Sequence, residues 1–309
     1  MSERRFDGRV AVITGGARGL GFAYAQLLGS LGAKIVVNDN GSAMSGSGSD
    51  VGPAEEAAQA LRAAGCEAVA CAESVARPEG GKAIVEAALD AFGRIDVLIH
   101  SAGNVRYGPL DAISHDDFRA VIDVHLLGAF NVVRPAFERM AAEGYGRVVL
   151  SGSIGGLYSI AHGVNYAMSK SAMIGLNNMI AIEGADRDVK SNVILPGAVT
   201  RMADGLDVTQ YPPMGPELVA PVVGLLAHES CPVSGELYVS MGGRIARAFI
   251  TETRGVYRPE WTIDLVAADM DAIRDESERW TFHPVENGFV EHMTRSFDMV
   301  RQARSNQSL

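Results

Sequence analysis

Short runs of β-branched and other apolar residues alternate, over about the first two-thirds of the chain, with longer stretches whose apolar positions recur every three or four residues. The runs are RVAVITGG, KIVVND, EAVACAES, IDVLIHSAG, GRVVLSGS, VKSNVILPG and, weaker, GELYVSMGG. Unbroken apolar character over a few residues suits strands buried on both faces, which belong to parallel sheets covered by helices. The stretches between them, such as GFAYAQLLGSLG, PAEEAAQALRAAG, GKAIVEAALDAFG and HDDFRAVIDVHLLGAFNVVRPAFERM, carry a helical period. Three stop at Gly32, Gly65 and Gly93, where a left-handed C-cap is expected. The alternation predicts an α/β protein with one doubly wound, three-layer, seven-stranded parallel sheet over residues 1–243.

Two segments break the rhythm, and no internal repeat is present. Residues 40–53, NGSAMSGSGSDVGP, are rich in Gly and Ser and read as a mobile linker, with closure over a ligand as the alternative. Beyond Gly243 no strand pattern is visible, but Trp261 and Trp280 fall there with two helical patterns, about Arg258 to Glu276 and Pro284 to Arg304. So apolar a tail has to pack, which predicts a helical C-terminal extension over 244–309, on the same domain or on a neighbouring subunit.

At 309 residues, 47% of them hydrophobic and 21% charged, the chain has an ordinary globular balance that excludes bulk disorder and coiled coil. A formal net charge of -10 disfavours binding to nucleic-acid phosphates. Cys66, Cys71 and Cys231 have neither disulfide nor metal spacing, and His228 beside Cys231 lacks further ligands, so no metal is expected. The opening MSERRFDGRV has no apolar targeting core and no uninterrupted apolar run approaches bilayer length. The expectation is a soluble cytoplasmic protein without a membrane partner.

Thr14-Gly15-Gly16-Ala17-Arg18-Gly19-Leu20-Gly21 follows the first strand pattern and runs into a helix. Glycine serves where the chain turns tightly, where main chain approaches a pyrophosphate and where a helix packs closely on a strand; the helix N-terminus adds amide donors. The combination points to a dinucleotide site. Asp39, ending VVND, stands where a carboxylate accepts the adenosine ribose hydroxyls of NAD and repels the 2′-phosphate of NADP. Arg18 pulls the other way, since a guanidinium in the loop suits that phosphate. Asp39 weighs more, because a buried unpaired carboxylate against phosphate is costly, and NAD is expected over NADP.

Ser153 follows RVVLS, and thirteen positions later comes Tyr166, with Lys170 one helical turn beyond. Tyr and Lys four apart share a helix face and are able to meet one substrate oxygen together. A nearby ammonium favours the phenolate and moves the tyrosine toward the working range of a base, while Ser153 orients the substrate.

With these residues in view, the chain resembles the short-chain dehydrogenase/reductase family over roughly Arg5 to Gly243, in its TGxxxGxG loop, its Ser and YxxxK set and its Pro196-Gly197. The resemblance implies a Rossmann-like sheet, hydride transfer between NAD(P) and an alcohol/carbonyl pair, and a homodimer or homotetramer. It implies that Lys170 also binds the nicotinamide ribose, that main chain around Val199 and Thr200 meets the carboxamide, and that Ser74, Val75, Ser101, Ala102 and Gly103 contact the dinucleotide. Three positions depart from the family. NNAG becomes His100-Ser101-Ala102-Gly103, so Ser101 replaces a backbone-stabilising asparagine; Ser74 replaces the aspartate that contacts adenine; and His125 replaces the relay asparagine. His125 either bridges to water or packs in the helix core.

Within the family, RFDGRVAVITGGARGLG, LDAFGRID, VHLLGAF, YGRVV, AIEG, PGAVTRM and LLAHESC resemble the (3R)-hydroxyacyl-CoA dehydrogenase unit of the peroxisomal multifunctional β-oxidation enzyme, also a 17β-hydroxysteroid dehydrogenase. Its hydratase and sterol-carrier parts have no counterpart here and Ser308-Leu309 is not a peroxisomal signal, so a free-standing relative is expected. A CoA arm needs cations, and Arg244, Arg247, Arg254 and Arg258 offer them against one acid, Glu252; a solvated or subunit-facing strip is the other reading. Trp261, Trp280 and Phe282 either line an acyl or sterol pocket or pack between subunits. Three functions follow: oxidation of a (3R)-hydroxyacyl-CoA, oxidation of a free secondary alcohol such as a 17β-hydroxysteroid, and a non-catalytic dinucleotide sensor. The intact Ser153, Tyr166 and Lys170 argue against the third.

Overall fold

A computed structural model describes residues 4–200 and 212–306. Each predicted apolar run forms a strand: β1 (Val10–Thr14), β2 (Lys34–Asn38), β3 (Ala68–Cys71), β4 (Val97–His100), β5 (Gly146–Ser151), β6 (Val189–Gly197) and β7 (Glu236–Met241). They lie parallel in the order β3-β2-β1-β4-β5-β6-β7. The jump from edge strand β3 back to β4 beside β1 opens a crevice at the carboxyl ends of β1 and β4, the place where such sheets bind ligands.

Helices α1 (Gly19–Ser30), α2 (Gly52–Ala63) and α8 (Ala220–Ala227) share one apolar cluster with the sheet, in which Tyr24, Leu28, Leu61 and Val223 meet Ile13, Ile35 and Ile99. Helices α3 (Pro78–Phe92) and α5 (Gly128–Glu143) pack on each other, and α7 (Val164–Glu183) runs along β5 and β6. Gly32, Gly65 and Gly93 all have positive φ just past their helices, as the sequence predicts. The long pattern from His115 is two helices, α4 (His115–Ile122) and α5, joined by a wider π-helical turn at Asp123–Leu127. By length and composition His115–Glu143 would suffice to cross a bilayer; here α4 packs on α7 and α5 on α3. The short helix α6 (Ile154–Tyr158) follows β5.

An eighth strand, β8 (Arg244–Ala248), extends the sheet beside β7, where no strand was expected. Gly242 and Gly243, both at positive φ, make the two-residue turn that reverses the chain between them. RIARA conceals itself because an edge strand tolerates exposed charge on both faces, which also discourages edge pairing.

The chain divides into two compact units, Met1–Arg247 and Ala248–Leu309. In the second, β9 (Glu252–Thr253) pairs antiparallel with β10 (Arg279–Trp280). The predicted helix over 258–276 is broken into α9 (Ile263–Ala268) and α10 (Met270–Ile273): Thr262 caps the first, and Asp269, drawn to Arg258, leaves helical geometry between them. The last helix, α11 (Gly288–Asn306), starts after a turn at His283–Gly288. Trp280, Phe282 and His292 meet edge to face and Arg295 lies over the first two rings, so these aromatics pack among themselves within this unit.

Candidate functional site

The glycine loop leaves β1 at Thr14 and enters α1 at Gly19. Gly15 has φ +64, and a Cβ there would stand 2.8 Å from the main chain of Ala102; a Cβ on Gly21 would stand 2.2 Å from the carbonyl oxygen of Gly15. Only main chain lies against main chain at these points, so neither position admits a side chain. Gly15→Ala is expected to cost about 1–3 kcal/mol and to abolish dinucleotide binding, checked by thermal melting and by titration with ADP-ribose.

Thr14 fastens the loop to β4. Its Oγ1 accepts the amides of Ser101 and Ala102, each at 3.2 Å, so its own proton goes to His100 Nδ1 at 3.0 Å. The main chain at Ser101 is thus held by Thr14, where the family uses an asparagine. Burial pushes His100 down to about 3, so it stays neutral with its proton on Nε2.

Gly15, Arg18, Gly19, Leu20, Gly21, Asp39, Ser74, Val75, Ser101, Ala102, Gly103 and Thr200 all line one cavity of about 320 Å³. Asp39 and Arg18, competitors in sequence, are an ion pair at 3.3 Å, with Asp39 also accepting the Gly41 amide. The Arg18 Nε is buried and unpartnered. The loop over 40–53 departs from the linker reading: Asn40, Ser42, Met44 and Gly46 line the same cavity, and the loop is closed on itself by Asp50 N to Asn40 O and Gly46 N to Ala43 O. A glycine cradle beside a buried unpaired guanidinium nitrogen fits a dinucleotide.

Ser153 caps α6, its Oγ accepting the Gly155 amide at 3.0 Å, and its hydroxyl lowers the pKa of the Tyr166 phenol. Tyr166 and Lys170 lie one turn apart on α7. The Lys170 ammonium, fully buried, donates to Ser151 O at 2.6 Å and lies 5.8 Å from the Tyr166 ring centroid. Burial pulls Lys170 down to about 7. For Tyr166, burial raises the pKa and outweighs the lowering by Ser153, with Tyr107 also raising it. The expected lowering by the ammonium is therefore absent in this arrangement, because Lys170, at about 7, has given up its proton before the raised phenol titrates. A raised tyrosine suits an acid before a base. Alcohol oxidation is expected to climb with pH while carbonyl reduction falls, since the phenol must give up its proton for the first and hold it for the second, measured as paired initial-rate profiles.

His125 sits in the π-helical turn, its ring edge-on to Tyr166 at 5.4 Å between centroids. Its Nε2 lies 2.8 Å from Asn104 O and 3.1 Å from Asn104 N, while Nδ1 is buried without a partner. Burial holds it neutral, well below its usual range. It thus props both the tyrosine ring and the segment after β4.

Pro196 and Gly197 end β6 beside Ser240 and Met241, and the Val199 amide is committed to Met214 O at 2.7 Å. Arg201 and Met202 of the PGAVTRM motif, and Ser308-Leu309, fall outside the described residues. The arginine strip is not a bare patch. Arg247 pairs with Glu236, Arg254 with Glu278 and Arg258 with Asp269; Arg244 and Arg247, three apart on β8, project to opposite faces. The His228 ring nitrogens contact Ser230 and Arg5 O, and Cys231 bonds Val233 O.

Sequence reasoning missed Asn165, directly before Tyr166. It is fully buried, donates to Arg106 O and Asp117 O, and accepts the Tyr166 amide, so it seats the start of the catalytic helix. The available signal was only an amide side chain directly before the reactive tyrosine; its burial shows in the structure.

The pattern described as short chain dehydrogenase matches residues 9–209, which is more than half of the chain. The chain belongs to the short-chain dehydrogenase family. It is 42% identical over 258 residues to the peroxisomal multifunctional enzyme type 2 of Drosophila melanogaster, covering 82% of this chain and 42% of that one. A Neurospora crassa peroxisomal hydratase-dehydrogenase-epimerase is 37% identical over 254 residues, 80% of this chain and 28% of its own. The solved full-length Drosophila enzyme superposes with a TM-score of 0.79 at 32% identity, over 96% of this chain and 50% of that one. This short-chain dehydrogenase thus spans less than half the length of these curated relatives, and its oxidoreductase class follows from the family.

Proposed function

We propose that this dehydrogenase oxidises the 3-hydroxyl of a (3R)-3-hydroxyacyl-CoA with NAD as acceptor. The observation that carries the reaction is the convergence of Ser153, whose hydroxyl lowers the Tyr166 pKa, with Tyr166 and Lys170 one turn on, set in the same unit as the glycine-lined cavity. The substrate class rests on the likeness to multifunctional relatives, one of them named a hydratase-dehydrogenase-epimerase. Ser153 and Tyr166 hold the substrate oxygen; Tyr166 takes its proton in oxidation and returns it in reduction. When bound, the nicotinamide supplies the acceptor for the hydrogen leaving the carbinol carbon with its electron pair. With the dinucleotide bound, Lys170 would hold the nicotinamide ribose, and its positive charge in this site would ease proton removal from the phenol.

NAD is favoured over NADP because Arg18 is already neutralised by Asp39. Asp39→Ser is expected to move the ratio of kcat/KM for NAD over NADP down by about 10–100-fold, as Arg18 is freed for a 2′-phosphate. Equal wild-type efficiency with both dinucleotides would mean that Arg18 dominates. Assembly as a homo-oligomer is favoured by exposed Leu127, Phe130, Met168 and Met179 on the α5 and α7 segments.

The pairing of Arg247, Arg254 and Arg258 favours a second reading, a free secondary alcohol or hydroxysteroid without a CoA arm. Initial rates on matched (3R)-hydroxyacyl-CoA esters and free alcohols separate the two. A kcat/KM preference for thioesters is expected; activity confined to free alcohols would replace the first reading with the second.

A further inference from the structure

We propose that residues 40–50 form a clamp over the adenosine end of the dinucleotide and that Arg106 is the latch that holds it shut. The proposal rests on the dinucleotide reading of the cavity but not on the identity of the substrate. The tip of the loop meets the segment after β4 at three places. Val105 N donates to Met44 O at 3.0 Å, the Arg106 Nε donates to Ser45 O at 2.7 Å, and Gly46, at φ +80, lies flat against the Asn104 side chain. Asn40, Met44 and Gly46 on the loop face the same cavity as Asp39, Ser74 and Val75, the turns that end β2 and β3.

Arg106 is itself pinned. Its Nη1 pairs with Asp117 at 2.8 Å in the first turn of α4, and its carbonyl accepts from Asn165 at the start of the catalytic helix. One residue therefore ties the loop over the nucleotide, through its side chain, to an element anchored beside Tyr166. The loop is otherwise held by its own short turns and by Val105, so Arg106 supplies the charged bond among its contacts with that segment. Releasing it uncovers the cavity wall while leaving Asp39 and the glycine turns in place, which should speed ligand departure more than it slows entry.

The test measures ADP-ribose and NADH binding by calorimetry and stopped-flow fluorescence. Arg106→Ala is expected to raise the dissociation constants of both by about tenfold, mainly through the off-rate, the size of a lost charge-assisted bond. Arg106→Lys, which keeps one charged donor, is expected to recover binding to within about threefold. Gly46→Ala disturbs the same contact from the loop side, because its Cβ would stand 2.3 Å from the Asn104 amide nitrogen, and should weaken binding similarly. The double variant should lose no more than the weaker-binding single one, since both open one contact. Limited proteolysis at 42–48 should increase in the variants and be suppressed by ADP-ribose. Folded Arg106→Ala and Gly46→Ala proteins that bind ADP-ribose as the wild type does would overturn the proposal. Wild-type protein that binds neither ligand would overturn the cofactor reading and the clamp together, whereas inactivity toward every thioester would touch only the substrate.

Discussion

Tyr166→Phe is expected to lower kcat by about 10²–10⁴-fold with dinucleotide binding retained. The substitution removes one hydroxyl, the group whose pKa Ser153 lowers and that the proposed mechanism sets against the substrate oxygen. The ring stays, so its edge contact with His125 and the placement of α7 survive. The lining of the dinucleotide cavity is built from other residues. Melting temperature should hold or rise slightly, since the buried phenol no longer has to be desolvated. Binding is checked with ADP-ribose and rate with saturating alcohol. Near-normal turnover in this variant would remove Tyr166 from the chemistry.

Lys170→Met should separate stability from activity. The lysine is fully buried and its ammonium has one acceptor among the described residues, Ser151 O, so the folded state binds its proton weakly, with a pKa of about 7 against the usual 10.5. The sign follows from linkage. Below pH 7 both folded and unfolded chains carry the proton and the full burial penalty applies; between 7 and 10.5 the unfolded chain holds more protons, so wild-type stability rises with pH. Methionine has a similar shape and no charge. The variant should therefore be more stable than wild type by about 1–4 kcal/mol at pH 7 and below, an advantage that shrinks toward pH 10.5. Its kcat should fall about as far as that of Tyr166→Phe, because the cation that assists proton removal is gone. Denaturant melts at several pH values, alongside initial rates, read both effects. A variant less stable than wild type at pH 6 would mean that the Ser151 contact outweighs the cost of burial.

The sheet was legible in the sequence because strands buried on both faces leave unbroken apolar runs, and VKSNVILPG maps onto β6 residue for residue. The glycine turns were legible for the same kind of reason: a position that admits no Cβ leaves only one residue type. What escaped was set by contacts distant in sequence. Strand β8 is exposed and arginine-rich, so it carries no burial pattern, and its identity depends on the Gly242-Gly243 turn that reverses the chain. The loop over 40–50 looked like a linker because Gly and Ser signal freedom locally, yet its tip is bound by Val105 and Arg106, about sixty positions away. The Tyr166–Lys170 spacing gave the shared face but not the direction of the ammonium, which the carbonyl of Ser151 decides. In the same way, the arginine strip left a CoA site and a solvated face both open, because the partners of Arg247 and Arg254, Glu236 and Glu278, and Asp269 for Arg258, lie outside the strip.

The central claim, that a carbinol hydrogen leaves for the dinucleotide while Tyr166 handles the proton, is tested most directly with a (3R)-3-hydroxyacyl-CoA deuterated at C3. The enzyme is incubated with this ester and NAD, and the reduced dinucleotide is weighed by mass spectrometry. One deuterium per reduced dinucleotide, formed by the wild type and suppressed in Tyr166→Phe, is the expected result. Reduced dinucleotide without the label, or labelled dinucleotide formed as fast by Tyr166→Phe as by the wild type, would contradict it.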